Sequence, residues 1–510
     1  MTEHPVLVIG AGMGGLAAAI DLARAGRRVI VLEKASTPGG KMRQVHPAGR
    51  AGIDAGPTVF TMRWVFESLF ADAGSCLTDH VRLGTAETLA RHGWTDGSRL
   101  DLFADTERSI AAIGDFAGKA AAEGYRAFCG RSEAIYSVLR DSFISAQRPG
   151  LLDMPVRVGL AGLPALLDTA PHRTLWAELG RYFRDPRLRQ LFGRYATYTG
   201  SSPFAAPATL MLIAHVEKDG VWFVEGGMIQ VARGMEALAR SLGVEFRYAE
   251  DVVSIIHAGG CVSGVRLASG ETLEGGAIVF NGDVSALGRD LLAEGRPAGP
   301  KPVPVVGRSL SAVTWCVEAR TEGFPLSHHS VFFSDSYEEE FRAIFSRREI
   351  CAEPTVYICA QDRQDDQLPV GQKERLLLLV NAPAIGGKGA FGPSKLEELR
   401  GRAWAMLERC GLTVVAHEEA IAATGPDDFE RLFPASGGAL YGRANHGLMG
   451  SFQRPGPESG LEGLYLAGGG VHPGPGIPMA TLSGRLAATQ LLARARGHRI
   501  GWRLGQSAVQ

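Results

Sequence analysis

The chain has 510 residues and a formal net charge of −1 at pH 7, from 53 basic and 54 acidic side chains. This balance argues against a nucleic-acid partner, and an apolar fraction of 45% is typical of a globular protein with a sizeable core. The seven cysteines are scattered and form no C-x-x-C pair, which argues against a disulfide framework or a zinc site.

The N-terminal segment has the pattern of a dinucleotide-binding βαβ unit. "VLVIG" (residues 6–10) predicts a buried strand, "GAGMGG" (10–15) has G-x-G-x-x-G spacing before a predicted helix, and "RRVIVLE" (27–33) predicts a second strand. Small glycines let backbone amides approach a pyrophosphate at the helix N-terminus, and Gly15 allows the helix and the strand to pack closely. Glu33 can accept hydrogen bonds from ribose hydroxyls. The predicted contacts are Gly10, Ala11, Gly12, Met13, Gly14, Gly15, Glu33 and Lys34.

Two glycine turns follow within the next 25 residues. "GGK" (39–41) places a basic residue after paired glycines, and "GPT" (56–58) is a rigid turn that can lie close to a ring. Together they favour a long, extended cofactor that lies along this edge. The residues concerned are Gly40, Lys41, Gly56, Pro57 and Thr58.

The most membrane-like stretch is "GLLDMPVRVGLAGLPALL" (150–167), which Pro155 and Pro164 interrupt. It can lie on a membrane surface but cannot cross one as a regular helix. We expect no transmembrane helix and no secretory signal. Further on, residues 244–281 alternate short β-rich runs with glycine turns and predict a β-meander.

The end of the chain combines a predicted strand, "GLYLA" (463–467), with a corner, "GGGVHPGPGIPMA" (468–480), and a predicted helix (481–495). This corner, together with Glu33, "GGK" and "D-x-GPT", resembles the bacterial-type carotenoid (phytoene) desaturase family of the flavin amine oxidase superfamily. Further matching stretches are "VWFVEGGM" (221–228), "FNGD" (280–283) and "SGGALYGRANH" (436–446). The stretches 328–341, 355–363 and 428–456 most resemble its hydroxyneurosporene (methoxyneurosporene) desaturase branch.

The resemblance implies an α/β fold: a Rossmann-like FAD-binding domain of the glutathione reductase type with an inserted, mixed α+β substrate domain. The FAD-binding domain would comprise residues 1–85, 216–299 and 456–510. The substrate domain would comprise residues 86–215, which are helix-rich, and 300–455. The last strand and helix would complete the domain that begins at the N-terminus.

FAD is the cofactor that the resemblance implies, with the C-terminal corner passing beside the flavin. The additional contacts are then Gly468, Gly469, Gly476, Ile477 and Met479 at the corner, and Val252 on the adenine side. His472 is a candidate proton acceptor, the alternative being a loop histidine tied to the backbone. His328 and His329 are adjacent, but no cysteine or acidic residue has ligand spacing, so no metal is expected.

The implied activity is desaturation at C-3,4 of an acyclic 1-hydroxycarotenoid such as 1-hydroxyneurosporene, on the way to spheroidene or spirilloxanthin in phototrophic bacteria. Such a substrate is dissolved in lipid, so we expect a peripheral membrane protein on the cytoplasmic side, with quinone or oxygen as electron acceptor. The predicted substrate contacts are Tyr441, Arg443, Asn445 and His446. Phytoene desaturation, another flavin chemistry, or a non-catalytic prenyl-binding protein of the same fold remain as alternatives.

Overall fold

The computed structural model describes residues 4–150, 153–292, 300–364, 373–387 and 389–495. The strands are β1 Val6–Ile9, β2 Val29–Glu33, β3 Gln44–Val45, β4 Ile53–Asp54, β5 Leu83–Thr85, β6 Thr88–Trp94, β7 Arg99–Phe103, β8 Trp222–Val224, β9 Glu245–Tyr248, β10 Val252–Ala258, β11 Cys261–Leu267, β12 Thr272–Glu274, β13 Ala277–Phe280, β14 Ser311–Gly323, β15 His329–Phe333, β16 Val356–Ala360, β17 Glu374–Ala382, β18 Leu412–Val415, β19 Ile421–Thr424 and β20 Leu464–Leu466. The helices are α1 Met13–Arg24, α2 Arg63–Asp72, α3 Thr106–Ala117, α4 Lys119–Leu139, α5 Asp153–Asp168, α6 Leu175–Leu179, α7 Pro186–Gly193, α8 Leu212–Lys218, α9 Ile229–Ser241, α10 Val284–Ala286, α11 Tyr337–Arg342, α12 Pro393–Arg409, α13 Pro426–Leu432 and α14 Ile477–Ala495.

A parallel sheet with the order β20-β13-β1-β2-β9 forms the nucleotide-binding half. Its central strand, β1, is fully buried and pairs in register with β2 and β13, Val6 lying opposite Val29 and Ala277. Such continuous apolar strands need cover on both faces, and α1 packs against α9 and α14 on one of them. The prediction that the last strand and helix complete the N-terminal unit is confirmed.

Glycines allow this half to pack closely. A Cβ on Gly15 would lie 2.0 Å from the Gly10 carbonyl oxygen, so α1 could not begin where it does with any larger residue. A Cβ on Gly484 of α14 would likewise lie 2.0 Å from the Gly14 carbonyl oxygen. The predicted role of Gly15 in helix–strand packing is confirmed.

The predicted β-meander is only partly right. Strands β10, β11 and β12 form an antiparallel three-stranded sheet, as expected. The flanking strands β9 and β13 instead join the parallel sheet, because β13 is apolar on both faces and β9 extends the edge at β2. Short alternating runs in the sequence predict strands, but they do not predict which of those strands pair with a neighbouring sheet.

A second, mixed sheet has the order β18-β14-β17-β16-β15-β6-β7, with β19 also paired to β14. Both inserted segments contribute to it, since β6 and β15 pair in parallel with Ser330 opposite Arg91. The first insert is helix-rich, as predicted, but it also supplies β6 and β7. None of the helices in the described ranges is both long and apolar enough to cross a membrane.

Candidate cofactor and substrate cavity

A cavity of about 1110 Å³ lies between these parts of the chain. Its wall combines the carboxyl ends of β1 and β2 with residues of β14, β16 and β17 from the mixed sheet. Most of the wall is apolar, and the volume slightly exceeds the usual range for ligand pockets, about 300–1,000 Å³. It can therefore hold a long cofactor together with an apolar substrate.

The structure brings almost all the predicted cofactor residues to this wall. The lining residues among them are Gly10, Gly12, Met13, Gly14, Glu33, Lys34, Gly40, Lys41, Gly56, Pro57, Thr58, Val252, Gly468, Gly469, Gly476, Ile477 and Met479. Ala11 and Gly15 are not part of the wall. Ala11 acts through its backbone amide, and Gly15 through the helix packing described above.

Glu33 is held by the backbone. Its Oε2 accepts a hydrogen bond of 2.6 Å from the Ala11 amide, and its Oε1 accepts one of 2.8 Å from the Ala35 amide. Burial raises the pKa of this carboxyl, while the two amides oppose that effect. A carboxylate has about four acceptor positions, so Glu33 can still accept bonds from a ligand hydroxyl.

The glycine loop forms a cradle that side chains would fill. A Cβ on Gly12 would lie 2.7 Å from the Nδ2 atom of Asn281, and one on Gly14 would lie 2.7 Å from the Gly468 amide nitrogen. The loop also leads into the N-terminus of α1, where amides and the helix dipole favour an anion. These residues fit the pyrophosphate of a dinucleotide.

Lys41 lies on the wall between two loops. Its Nζ donates a 2.6 Å hydrogen bond to the Leu440 carbonyl oxygen and lies 5.4 Å from the centre of the Phe433 ring. Burial lowers the pKa of this amine. Lys41 thus ties the "GGK" turn to the 436–446 loop.

The "GPT" turn connects the cofactor side to the mixed sheet. The Thr58 Oγ1 lies 2.6 Å from the hydroxyl of Tyr357, which lies 2.8 Å from Nδ1 of His329. Just before the turn, Asp54 Oδ2 accepts a 2.5 Å hydrogen bond from the Met228 amide. Two motifs that are remote in sequence, "D-x-GPT" and "GGM", therefore meet at one carboxylate.

The C-terminal corner forms the wall directly beside the glycine loop. Gly468 and Gly476 have φ angles of +104° and +109°, which favour glycine, and α14 starts directly after them. A buried residue that the sequence reasoning missed, Arg454, holds this corner to the neighbouring loop. Its guanidinium donates to the carbonyl oxygens of Tyr441, Arg443 and Gly469 at 2.9, 2.5 and 3.1 Å.

His472 is not placed to act as a base. It lies outside the cavity wall, is 1% exposed, and its Nε2 donates a 3.0 Å hydrogen bond to the Ala146 carbonyl oxygen. Its ring packs edge-on against Phe143, and burial lowers its pKa to about 4. The backbone-tied alternative describes this histidine.

The four predicted substrate contacts separate into two pairs. Tyr441 and Asn445 line the cavity, and the buried Oδ1 of Asn445 has no hydrogen-bond partner among the described residues. Arg443 does not line it and donates to Gln453 at 2.9 Å. His446 is also off the wall, where its Nε2 accepts a 3.0 Å bond from the Ser202 amide.

Arg194 is a wall residue that the sequence reasoning missed. It follows α7 at the start of a 3₁₀ turn, Arg194–Thr199, and lines the cavity beside Tyr198. The signal was present in "LFGRYATYTG" (191–200), where one arginine interrupts an apolar and aromatic helical pattern.

The pairing of β15 with β16 brings Cys359 opposite His329. Ligand atoms of His328, His329 and Cys359 all lie within 4.8 Å of one another, so the argument that the histidines lack a cysteine partner was wrong. However, His328 Nδ1 donates to the Arg363 carbonyl oxygen at 2.7 Å, and burial raises the pKa of the Cys359 thiol. The Cys359 Sγ also lies 3.5 Å from Nε2 of His328, so these two side chains pair with each other, and we assign no metal site here.

Comparisons with known proteins indicate a cofactor of the type that fits the cavity wall. A family model described as flavin containing amine oxidoreductase matches residues 13–492. A hydroxyneurosporene desaturase of Rubrivivax gelatinosus is 50% identical over 494 residues, covering 97% of this chain and 94% of that protein. One of Cereibacter sphaeroides is 44% identical over 490 residues, covering 96% and 97%. The resemblance stated from the sequence motifs is confirmed.

The solved structure of an oxidoreductase from Methanosarcina mazei has the same fold, with a TM-score of 0.58 at 15% identity. The match covers 96% of this chain and 99% of that one. The predicted fold class is thereby confirmed. The family model and the desaturase relatives confirm the prediction of an oxidoreductase with FAD as cofactor. The chain belongs to the family of flavin-containing amine oxidoreductases.

Proposed function

We propose that the protein is an FAD-dependent carotenoid desaturase that introduces the C-3,4 double bond into an acyclic 1-hydroxycarotenoid such as 1-hydroxyneurosporene. The observation that carries the proposal is the large, mainly apolar cavity that continues from the dinucleotide cradle. The relatives at 44–50% identity over nearly the whole chain, named hydroxyneurosporene desaturases, support the same chemistry. A polyene chain and a flavin would meet within one continuous cavity.

When bound, the flavin supplies the two-electron acceptor for the C–H bond that breaks. The residues of this chain then have the tasks of binding, orienting and excluding water. The glycines of the C-terminal corner keep the wall free of side chains, and the N-terminus of α14 favours negative charge in front of it. Apolar residues of the mixed sheet, such as Leu377 and Leu379, hold the polyene.

We also propose that the cavity opens towards a membrane surface, because its substrate is dissolved in lipid. Two wall residues are strongly exposed on the outside: Leu167 at 75% on α5, and Leu448 at 46% on the 447–450 turn. These two residues define the mouth of the cavity, and α5 forms one side of it. Val156, also on α5, is 56% exposed. The segment predicted to contact a membrane is residues 150–167. From Asp153 on, it lies in α5.

The test is incubation of the flavin-loaded protein with lipid-dispersed 1-hydroxyneurosporene, neurosporene and phytoene. Conversion mainly of the hydroxylated compound, with one added double bond, is the expected result. Efficient multi-step desaturation of phytoene would instead identify a phytoene desaturase. A purified protein without flavin absorbance would favour the non-catalytic, prenyl-binding alternative. Parallel anaerobic incubations with and without a quinone identify the electron acceptor.

A further inference from the structure

One part of the apolar cavity carries a charged side chain. Arg194 lies deep in the protein, and its side chain remains partly accessible because it borders the cavity. Burying a guanidinium beside apolar surface is unfavourable unless its N–H groups find partners. The contacts of Arg194 therefore indicate what the cavity is built to receive.

Arg194 has mainly aromatic neighbours. Its guanidinium lies 5.1 Å from the ring centre of Tyr357 and 5.6 Å from that of Tyr198. In the described ranges, no carboxylate oxygen lies within 4 Å of it and it donates to no backbone carbonyl, and its polar partner is the hydroxyl of Tyr198. Arginine has five N–H donors in a fixed fork, so donors remain for a ligand in the cavity.

The counter-charge lies one residue further from the cavity. Tyr198 donates a 2.5 Å hydrogen bond to Oε1 of Glu217, and Tyr195 donates one of 2.9 Å to Oε2. Glu217 does not line the cavity, whereas Tyr198 does. The carboxylate of Glu217 thus faces the positive charge of Arg194 across the Tyr198 phenol.

We propose that Arg194 and Tyr198 form the subsite that binds the terminal hydroxyl group of the substrate, an inference that rests on the proposed function. A neutral hydroxyl can accept from the guanidinium without adding charge, whereas a carboxylate would leave the cluster with an excess negative charge. A plain hydrocarbon end would leave the guanidinium donors unpaired. The subsite therefore selects a hydroxylated polyene.

The position of the cluster suits desaturation close to the hydroxyl. C-1 and C-3 are separated by two carbon–carbon bonds of about 1.5 Å each, so the hydroxyl must bind near the reacting carbons. Arg194 stacks on Tyr357, whose hydroxyl lies 2.6 Å from Thr58 on the turn assigned to the cofactor. One aromatic ring therefore separates the hydroxyl subsite from the cofactor turn.

The experiment compares the flavin-loaded wild type with Arg194→Met and Tyr198→Phe. The matched control is Arg189→Met, because Arg189 stacks on Trp176 at 4.4 Å and does not line the cavity. Each protein is assayed for kcat/KM with 1-hydroxyneurosporene and with neurosporene. Carotenoid retained after gel filtration, measured by its visible absorption, gives a second readout that does not depend on turnover.

In the wild type we expect preference for the hydroxylated compound, and Arg194→Met should reduce that preference about tenfold to a hundredfold. Tyr198→Phe, which keeps the ring, should reduce it in the same direction, and Arg189→Met should leave it unchanged. An equal loss for both substrates, or an unchanged preference in both variants, would overturn the subsite. Asn445 is another polar side chain on the cavity wall. If Asn445→Leu abolishes the preference for the hydroxylated compound and Arg194→Met does not, the proposed subsite is also overturned. If the wild type shows no preference, the proposed function itself fails.

Discussion

The backbone amide of Ala11 donates a 2.6 Å hydrogen bond to the carboxylate of Glu33. This bond joins the glycine loop after β1 to the carboxyl end of β2, two segments that a dinucleotide must contact together. The loop is therefore held in place by the chain itself, and Glu33 both supports it and faces the cavity.

Glu33→Gln should weaken FAD binding. A glutamine offers one acceptor oxygen where Glu33 uses two, so its NH₂ group would face either the Ala11 or the Ala35 amide. An unpaired buried donor costs about 1–3 kcal/mol, so FAD affinity should fall by about tenfold or more. Flavin retained after dialysis measures the effect, with Glu398→Gln on the exposed face of α12 as control. Unchanged retention would contradict the role of Glu33.

Gly12→Val should give a protein that purifies without flavin. A branched side chain would occupy the space assigned to the pyrophosphate, and its Cβ would also lie 2.7 Å from Asn281 Nδ2. The control is Gly401→Val, where no atom lies within 4 Å of the added Cβ. The absorbance of bound flavin per protein is the measurement.

The clash with Asn281 offers a sharper version of this experiment. In an Asn281→Ala background, Gly12→Ala no longer meets the amide side chain, so only the cofactor opposes the added methyl group. The double variant should still contain less flavin than Asn281→Ala alone. Equal flavin content in the two proteins would place the pyrophosphate elsewhere.

Leu167→Ser and Leu448→Ser should release the protein from liposomes of phosphatidylethanolamine and phosphatidylglycerol. If both side chains enter the lipid, each replacement removes about 1.5 kcal/mol or more of apolar burial, so partitioning should fall about tenfold per site. Co-sedimentation measures it. Val415→Ser is the control, since Val415 is 55% exposed on β18 and does not line the cavity. If Val415→Ser releases the protein to the same degree, the mouth of the cavity is not the membrane contact.

The pH dependence of stability should include a contribution from His472. Its pKa is about 4 in the folded protein, below the ordinary 6.5, because burial disfavours the imidazolium. The unfolded chain therefore takes up the proton first as the pH falls. The stabilising contribution is complete above pH 6.5 and is lost as the pH falls to about 4, at about 1.4 kcal/mol per pH unit.

His472→Gln keeps a donor for the Ala146 carbonyl oxygen but removes the titration. Urea unfolding between pH 6.5 and 4 should thus give a shallower loss of stability than in the wild type. The exposed residue His417 provides the control substitution, His417→Gln. If the free energy of unfolding falls with pH equally steeply in His472→Gln and in the wild type, the pKa of His472 is not lowered in the folded protein.

The nucleotide-binding half could be predicted from the sequence because its signals are local. Strand, glycine loop, helix and acidic strand end follow one another within residues 6–33, and each has a composition dictated by its own geometry. The C-terminal corner is equally local, since its positive φ angles require glycine at Gly468 and Gly476. The role of Gly15 followed from the same reasoning.

Only the tertiary structure decided which side chains face the cavity. Tyr441 and Asn445 line it, while Arg443 and His446 from the same loop do not. Hydrogen bonds to Gln453 and to the distant Ser202 orient the latter two. The spacing of residues in the sequence does not predict strand register or side-chain packing. The pairing of β15 with β16 places Cys359 opposite His329, and the folding of the chain places Arg194 over the ring of Tyr357. The sequence alone determined the glycine loop and Glu33, whose signals are local, whereas tertiary packing brought Asn281 and Gly468 against that loop and placed the polar side chains on the cavity wall.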